Sequence, residues 1–332
     1  MAFIFADGFD SYAAASEWGN KGMVNGSLNL GTAGRFGGNC VNITYNSVTP
    51  SYSASPIVAS GDTLYAGFWW QSPAAGTPGF PVIAYNGGDI VRASASSGFM
   101  TGWLNGAQVA VGTVNITDAN WHWIEVSLLL NGAASTVVGY VDGVEQFTFT
   151  GTGPAGSGIG TLTWNAGGFN GGYDNSLIDD VIIWDNTGTT FNTFPLGPRR
   201  ITCLNPAGAG DSTGFTSSNG AANYTCVADS YTTGTYVSAT GTTDTDLYTL
   251  SSLPYQPTDI NAVVLSVYGQ NPGTGTRTLQ PMIKTNGATS MGVSFTLPNG
   301  VNSLVHDVFT ADPAGNPWSY ASVASAQIGF VD

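Results

Sequence analysis

The chain has 332 residues, of which 42% are hydrophobic and 12% aromatic, a composition that supports a large core and argues against disorder. Only 8% of the residues are charged, and the net charge of -14 with seven basic residues argues against binding to a nucleic-acid backbone. No apolar run approaches the roughly 20 residues of a membrane span, so neither nucleic acid nor membrane is expected as a partner.

The same composition predicts an all-β fold. There are 46 glycines and 16 prolines, whereas Glu occurs at three positions and Lys at two. Glycine and proline suit short strands joined by tight turns, and the scarcity of helix formers disfavours long helices. At this length, two tandem β-sandwich domains are expected.

The chain starts with a strand-like segment, residues 3–9, without the basic region or cleavage site of a signal peptide. We therefore expect folding in a reducing compartment, where Cys40, Cys203 and Cys226 are free thiols. A disulfide between Cys203 and Cys226 across paired strands is the alternative.

Residues 121–128 (WHWIEVSL) alternate as a strand and place His122 on the same face as the apolar residues. A buried histidine with one hydrogen-bond partner is favoured over a catalytic base or metal ligand. Residues 136–141 and 144–149 flank Asp142-Gly143, a pair that tolerates the positive φ values of a type I′ turn and so predicts a β-hairpin.

Residues 177–184 (LIDDVIIW) predict a largely buried strand, after which the chain reaches 195–198 (PLGP). Two prolines with this spacing interrupt strand pairing and stiffen a connection. We place the domain boundary there, which gives domains 1–195 and 196–332.

The first domain resembles the concanavalin A-like lectin and glucanase group in its laminin G-like form. The resemblance depends on the segments 5–10 (FADGFD), 34–38 (GRFGG), 121–126, 140–143 and 178–184. It implies a jelly roll of two antiparallel sheets. It does not imply one function, because this fold carries lectins, hydrolases, adhesion modules and virion parts.

The second domain resembles a module of tailed-bacteriophage structural proteins. The resemblance depends on the order of 198–201 (PRRI), 204–211 (LNPAGAGD), 223–224 (NY), 246–250 (DLYTL), 312–313 (DP) and 317–318 (PW). Within it, residues 204–222 are expected to form a polar turn region at the start of the second sandwich.

The candidate catalytic residues do not assemble into a known pattern. Jelly-roll glycosidases need two carboxylates that flank the scissile bond, whereas Glu125 and Glu145 lie on separate predicted strands. The histidines His122 and His306 lack an accompanying nucleophile motif. We therefore predict that the protein is not an enzyme and has no catalytic residues.

The concanavalin A-like resemblance implies a structural calcium site, made of the Asp179 carboxylate and the backbone of Gly38. Hard oxygen ligands suit calcium. The alternative is that Asp179 only hydrogen-bonds a turn. No other cofactor is expected, and no Cys and His residues have the spacing of zinc ligands.

A sugar site would need exposed aromatic rings with Asn or Asp beside them. Trp103, in 102–106 (GWLNG), and Tyr173 with Asp174, in 172–175 (GYDN), lie next to predicted turns and are the candidates. The competing interpretation is that these rings fill the core.

The two resemblances together predict a bacteriophage virion structural protein, located on the capsid surface after assembly in the host cytoplasm. A capsid decoration or cement protein, bound to the major capsid protein or other virion proteins, is favoured over a fibre shaft because the chain has no heptads or repeats. A homo-oligomer, preferably a trimer, is expected. The alternative is a lectin-like receptor module, such as a head fibre, that binds host surface glycans.

Overall fold

The computed structural model describes residues 3–12, 23–24, 34–43, 50–72, 81–86, 88–94, 97–154, 158–164, 176–188, 192–228, 234–241 and 243–332. Within these residues nearly all regular structure is β-strand, so the predicted all-β fold is confirmed. The chain divides into two compact units, Met1–Ile201 and Thr202–Asp332.

The first unit contains fourteen of the described strands and one 3₁₀ turn, Gly132–Ala134. The strands are β1 (Phe3–Asp7), β2 (Met23–Val24), β3 (Val41–Ile43), β4 (Ser51–Val58), β5 (Thr63–Gln71), β6 (Pro81–Tyr85), β7 (Gly88–Ala93), β8 (Phe99–Leu104), β9 (Ala107–Asn115), β10 (Trp121–Leu129), β11 (Ser135–Val141), β12 (Val144–Gly151), β13 (Ile159–Trp164) and β14 (Ser176–Asp185).

These strands form two antiparallel sheets, each with seven described strands. The first sheet has the order β1-β14-β5-β10-β11-β12, and β3 also pairs with β14. The second sheet has the order β2-β4-β13-β6-β7-β8-β9. Strands distant in sequence are neighbours, as with β1 beside β14 and β4 beside β13, which is the connectivity of the predicted jelly roll.

The core of the first unit lies between the two sheets, where aromatic rings from both meet. Phe68 of β5 contacts Trp164 of β13 edge to face with ring centroids 6.1 Å apart, and Phe5 of β1 contacts Tyr52 of β4 at 4.8 Å. A Cβ atom at Gly102 of β8 would lie 2.7 Å from the ring of Phe147 on β12. Burial of these rings holds the sheets face to face.

The predicted hairpin is confirmed. β11 pairs with β12, and the turn residues Asp142 and Gly143 have φ values of 53° and 80°. Glycine adopts positive φ without steric cost and Asp tolerates it, which is why this pair closes the turn. The predicted strands around 121–128 and 177–184 are β10 and β14, the central members of the first sheet.

Residues 192–201 lie on the outer face of the first sheet. The indole Nε1 of Trp69 donates to the carbonyl of Arg199 at 2.7 Å, and the ring of Phe194 stacks on Tyr65 at 4.9 Å. Residues 196–201 were expected in the second domain, whereas in the structure they belong to the first unit.

The second unit contains the remaining described elements. They are β15 (Pro206–Thr213), β16 (Thr216–Ser217), α1 (Asn223–Val227), β17 (Val237–Ser238), β18 (Thr245–Leu250), β19 (Val263–Gln270), β20 (Arg277–Thr285), β21 (Ala288–Met291), β22 (Phe295–Leu297), β23 (Asn302–Phe309), α2 (Tyr320–Ala324) and β24 (Gln327–Val331). No helix in the described part of the chain has the length and apolar character needed to cross a membrane.

The second unit is built on one sheet with the order β15-β18-β24-β20-β21, in which β22 also pairs with β20. The β19–β23 ladder packs against this sheet: Leu265 of β19 and Phe309 of β23 share a buried cluster with Ile283 of β20. A second buried cluster contains Phe215, Tyr248 and other apolar residues. Two β-layers therefore enclose this core as well.

Residues 204–222 are not mainly the predicted turn region, because Pro206–Thr213 form strand β15 paired with β18. The glycines permit close approach within this ladder rather than turns. A Cβ atom at Gly210 would lie 2.7 Å from the backbone of Leu247, and one at Gly208 would lie 2.6 Å from the hydroxyl of Thr249. Glycine has a low preference for strands, so the sequence alone does not predict β15, and only its pairing with β18 reveals it.

Cys40, Cys203 and Cys226 are all in the thiol form. The Sγ atom of Cys203 lies 3.7 Å from Asn205 Oδ1, and that of Cys226 lies 3.2 Å from Asn219 Oδ1. No disulfide joins Cys203 to Cys226. Burial raises the pKa of the Cys40 thiol to about 12, which keeps it protonated and unreactive.

His122 is held by two carboxylates rather than by the single partner that was expected. Its Nδ1 lies 2.8 Å from Asp142 and its Nε2 lies 3.0 Å from Asp118. The hydrogen bond to Asp142 is the main cause that raises the pKa of His122, and burial opposes it. Both ring nitrogens thus hold turn residues: Nε2 contacts the turn before β10, and Nδ1 contacts the turn between β11 and β12.

This contact makes stability depend on pH. Because the pKa of His122 is raised in the folded state, its contribution is fully present below the pKa of the unfolded chain and is lost as pH rises through the folded value. We expect the free energy of unfolding to fall by about 1–2 kcal/mol above neutral pH, the worth of a charged hydrogen bond. Urea denaturation across this range measures it. His122→Gln should flatten the profile, and an unchanged profile in that variant would contradict this assignment.

Candidate functional site

Trp103 lies on the outer face of the second sheet. Met100 and Leu104 of β8 point into the core and are fully buried, whereas Trp103, beside Leu104, is partly exposed. Side chains on successive strand residues point to opposite faces, so the indole faces away from the core. Of the three sugar-site candidates, Trp103 is therefore placed where a ligand can reach it.

A polar network fixes the orientation of the Trp103 ring. The guanidinium of Arg92 on β7 lies 4.0 Å from the ring centroid, and the indole Nε1 donates to Thr101 Oγ1 at 3.0 Å. The hydroxyl of Thr101 in turn donates to the carbonyl of Arg92 at 2.9 Å. A ring held this way is preorganised, and the nearby guanidinium is a hydrogen-bond donor for a hydroxyl or carboxylate.

No pattern in the sequence pointed to Arg92 as a binding residue. It reaches Trp103 because β7 and β8 pair with Arg92 opposite Thr101, a register that depends on the intervening turn. The other two predicted sugar-site residues, Tyr173 and Asp174, lie outside the described residues.

The predicted metal residues Asp179 and Gly38 come together around Gly34. A Cβ atom at Gly34 would lie 2.6 Å from Asp179 Oδ2, 2.7 Å from the Asn39 carbonyl and 3.1 Å from the Gly38 carbonyl. A Cβ atom at Gly38 would overlap the carboxylate of Asp10. Oxygen atoms of four residues thus converge on one small loop.

These donors suit calcium in type, because all are hard oxygens. Asp179 Oδ2 already accepts a hydrogen bond from the backbone N–H of Arg35 at 2.8 Å, and the Gly38 carbonyl accepts one from Gly34 at 2.6 Å. Among the described residues no group of three or more His, Cys, Asp or Glu side chains is arranged to hold a metal. Calcium here would depend on carbonyl oxygens as much as on Asp179 and Asp10.

Calcium binding would stabilise the first unit because an ion that binds only the folded state raises the melting temperature. We expect about 1 mM calcium, compared with chelator, to raise it for the parent protein and not for Asp179→Asn. Asp211→Asn, a change at an exposed carboxylate of the second unit, is the control and should retain the shift. Differential scanning calorimetry provides the measurement. Equal curves with calcium and with chelator in the parent protein would reject the site.

The two glutamates considered for hydrolysis do not form a catalytic pair. Glu125 is completely buried and accepts hydrogen bonds from the amides of Leu196 at 2.6 Å and Gly197 at 3.0 Å. Glu145 accepts from Tyr140 and Thr148. Tyr140 pairs with both glutamates across neighbouring strands, so they lie two strand spacings apart, roughly 10 Å.

Burial raises the pKa of Glu125, and the amide of Leu196 partly offsets this. A raised pKa is typical of a catalytic acid, but this carboxyl is covered by residues 192–201 and contacts backbone instead of a cleft. His306 lies in β23 of the second unit, opposite Ser266.

No family model matches the chain. No curated protein matches it either. Among solved structures, it is similar to Cellulose induced protein Cip1 (TM-score 0.41, 15% identity, covering 54% of this chain and 96% of that one). It is also similar to alginate lyase Aly36B (TM-score 0.40, 13% identity, 54% and 95%) and to the binding domain of Botulinum Neurotoxin DC (TM-score 0.37, 16% identity, 48% and 42%). Similarity at this level carries no functional argument.

Proposed function

We propose that the first unit is a carbohydrate-binding module whose sugar contacts centre on Trp103. The observation that carries this proposal is the partly exposed indole on the outer face of the second sheet, held by Arg92 and Thr101. Sugar rings present C–H groups that pack on aromatic faces, and their hydroxyls accept hydrogen bonds from a guanidinium. A rigid aromatic beside a fixed donor loses little entropy when it binds.

Binding without hydrolysis is favoured by the position of the acids. Glu125 is buried beneath residues 192–201, and Glu145 is engaged with Tyr140 and Thr148. Glycosidases need two accessible carboxylates that flank one bond, roughly 5–10 Å apart. Glu145 is exposed but Glu125 is buried, so the two do not form such a pair, which supports recognition rather than cleavage.

Replacement of Trp103 tests this function. Trp103→Ala should weaken glycan binding roughly 10- to 30-fold, as expected when a central aromatic contact is removed. A glycan array identifies the ligand, and isothermal titration calorimetry measures the affinity. Trp121→Ala is the matched control, because Trp121 is also a partly exposed strand tryptophan but belongs to the first sheet.

Two results would contradict the proposal. One is that the parent protein binds no glycan on a broad array. The other is that Trp103→Ala and Trp121→Ala bind with equal affinity. Release of reducing sugar from a polysaccharide would instead favour an enzyme.

We propose, as a second candidate function, that the second unit attaches to other protein chains on a bacteriophage capsid surface as a decoration protein. The specific observation is at the edge of its main sheet, where β21 is the terminal strand in the order. Met291 at the end of β21 is 45% exposed, and the following Val293 is 52% exposed. A terminal strand with an exposed apolar side chain at its end offers both backbone hydrogen bonds and apolar area to another protein chain.

If this edge mediates self-association, the protein is a trimer or another homo-oligomer, and Met291→Glu should shift it to monomer because a charge is costly to bury. Size-exclusion chromatography with light scattering measures the mass of both. Val144→Glu, at an apolar residue of the first unit that is 60% exposed, is the control and should leave the mass unchanged. A monomeric parent protein that also fails to sediment with phage capsids would rule out this second function.

A further inference from the structure

A cluster of basic residues lies at the outer face of the first sheet. Arg35, Arg199 and Arg200 meet there and are three of the seven Lys and Arg residues in a chain with net charge -14. Seven basic residues distributed evenly over the surface would lie far apart. Arg199 lies near the buried carboxylate of Glu125, which interacts with it electrostatically. The remaining pair, Arg35 and Arg200, is the feature of interest.

Aromatic rings hold this pair. The guanidinium of Arg35 lies 4.9 Å from the ring centroids of both Phe36 and Trp69, and that of Arg200 lies 4.6 Å from the centroid of Phe36. Phe36 is 37% exposed, an unusual position for a large apolar side chain. In the described part of the chain, the Arg35 guanidinium contacts these rings and forms no ion pair with a carboxylate.

The fold brings the two arginines together through adjacent residues of β14. The backbone N–H of Arg35 donates to Asp179, and that of Ile201, which follows Arg200, donates to Asp180, both at 2.8 Å. Asp180 also interacts electrostatically with Arg200, but it is only 2% exposed. Two guanidinium groups are thus held beside one aromatic ring, and the two β14 carboxylates that accept these backbone hydrogen bonds are buried.

We propose that Arg35, Arg200 and Phe36 form a binding site for the carboxylate of an acidic sugar. A planar guanidinium matches a carboxylate in a bidentate geometry, and stacking on aromatic rings preorganises it. Phe36 supplies an exposed apolar contact for the carbon atoms of the sugar ring.

An acidic oligosaccharide fits this site better than a nucleic acid. Duplex DNA carries one charge per roughly 1.7 Å of helix axis and would be repelled by the net charge of this chain, whereas a uronate glycan carries one carboxylate per sugar ring. The site is independent of the proposed contacts at Trp103, because it lies on the first sheet and Trp103 lies on the second.

The probe is trigalacturonate, and its methyl ester is the neutral counterpart with the same rings. We expect the parent protein to bind the acid and not the ester in calorimetry, with an affinity that falls as salt increases. Arg35→Gln and Arg200→Gln should each weaken binding at least about tenfold. Arg35→Lys, which keeps the charge but loses the planar fork, should give an intermediate loss.

Arg277→Gln is the matched control, because it removes the same charge from the second unit, where Arg277 pairs with Asp332. It should bind trigalacturonate as the parent does, and thermal melting verifies that each variant is folded. Equal binding of acid and ester, an equal effect of Arg35→Gln and Arg277→Gln, or no binding of the acid would each overturn the proposal. Tighter binding of a single-stranded oligonucleotide than of trigalacturonate would also overturn it. The effect of Trp103→Ala on glycan binding bears only on the proposed function at Trp103. Failure of that function and failure of the acidic-sugar site are therefore distinguishable.

Discussion

The outer face of the first sheet depends on one constraint: its buried carboxylates must find hydrogen-bond donors without water. Residues 192–201 meet this need with backbone amides, two directed at Glu125 and one at Asp180. A buried carboxylate that loses such donors costs several kcal/mol, so this segment cannot leave the sheet without a large penalty. That is why it belongs to the first unit although its prolines and glycine resemble a linker.

This constraint also separates binding from catalysis in the first unit. The amides that satisfy Glu125 cover it, so the most acidic part of the sheet presents backbone and arginine side chains to the surface instead of carboxylates. Aromatic rings then become the surface features on which the proposed recognition depends. Trp103 is fixed by Arg92 on one sheet, and Phe36 with Trp69 holds Arg35 on the other. In both places a cation on an aromatic ring is ordered before any ligand arrives, which lowers the entropic cost of binding.

The sequence predicted local elements well where one physical signal dominated. The Asp142-Gly143 turn needed only its own backbone preferences, and β10 and β14 needed only the burial of alternating or continuous apolar side chains. It failed at β15, where glycine and alanine have weak strand preference and the partner strand supplies the reason for their presence. It also underestimated His122, because Asp118 precedes β10 and Asp142 follows β11, and only the antiparallel pairing of these strands brings both turns to the imidazole.

The amino-acid sequence by itself determined the all-β class and the tight hairpin, because composition and short-range backbone preferences act within a few residues. It also indicated Trp103, Asp179 and Gly38 as residues of interest. Only the tertiary structure decided that Asp179 and Gly38 meet, that Arg92 faces Trp103, and that Arg35 and Arg200 share the ring of Phe36. These contacts join residues from 11 to 164 positions apart, and strand register and sheet order set them, which no local pattern encodes.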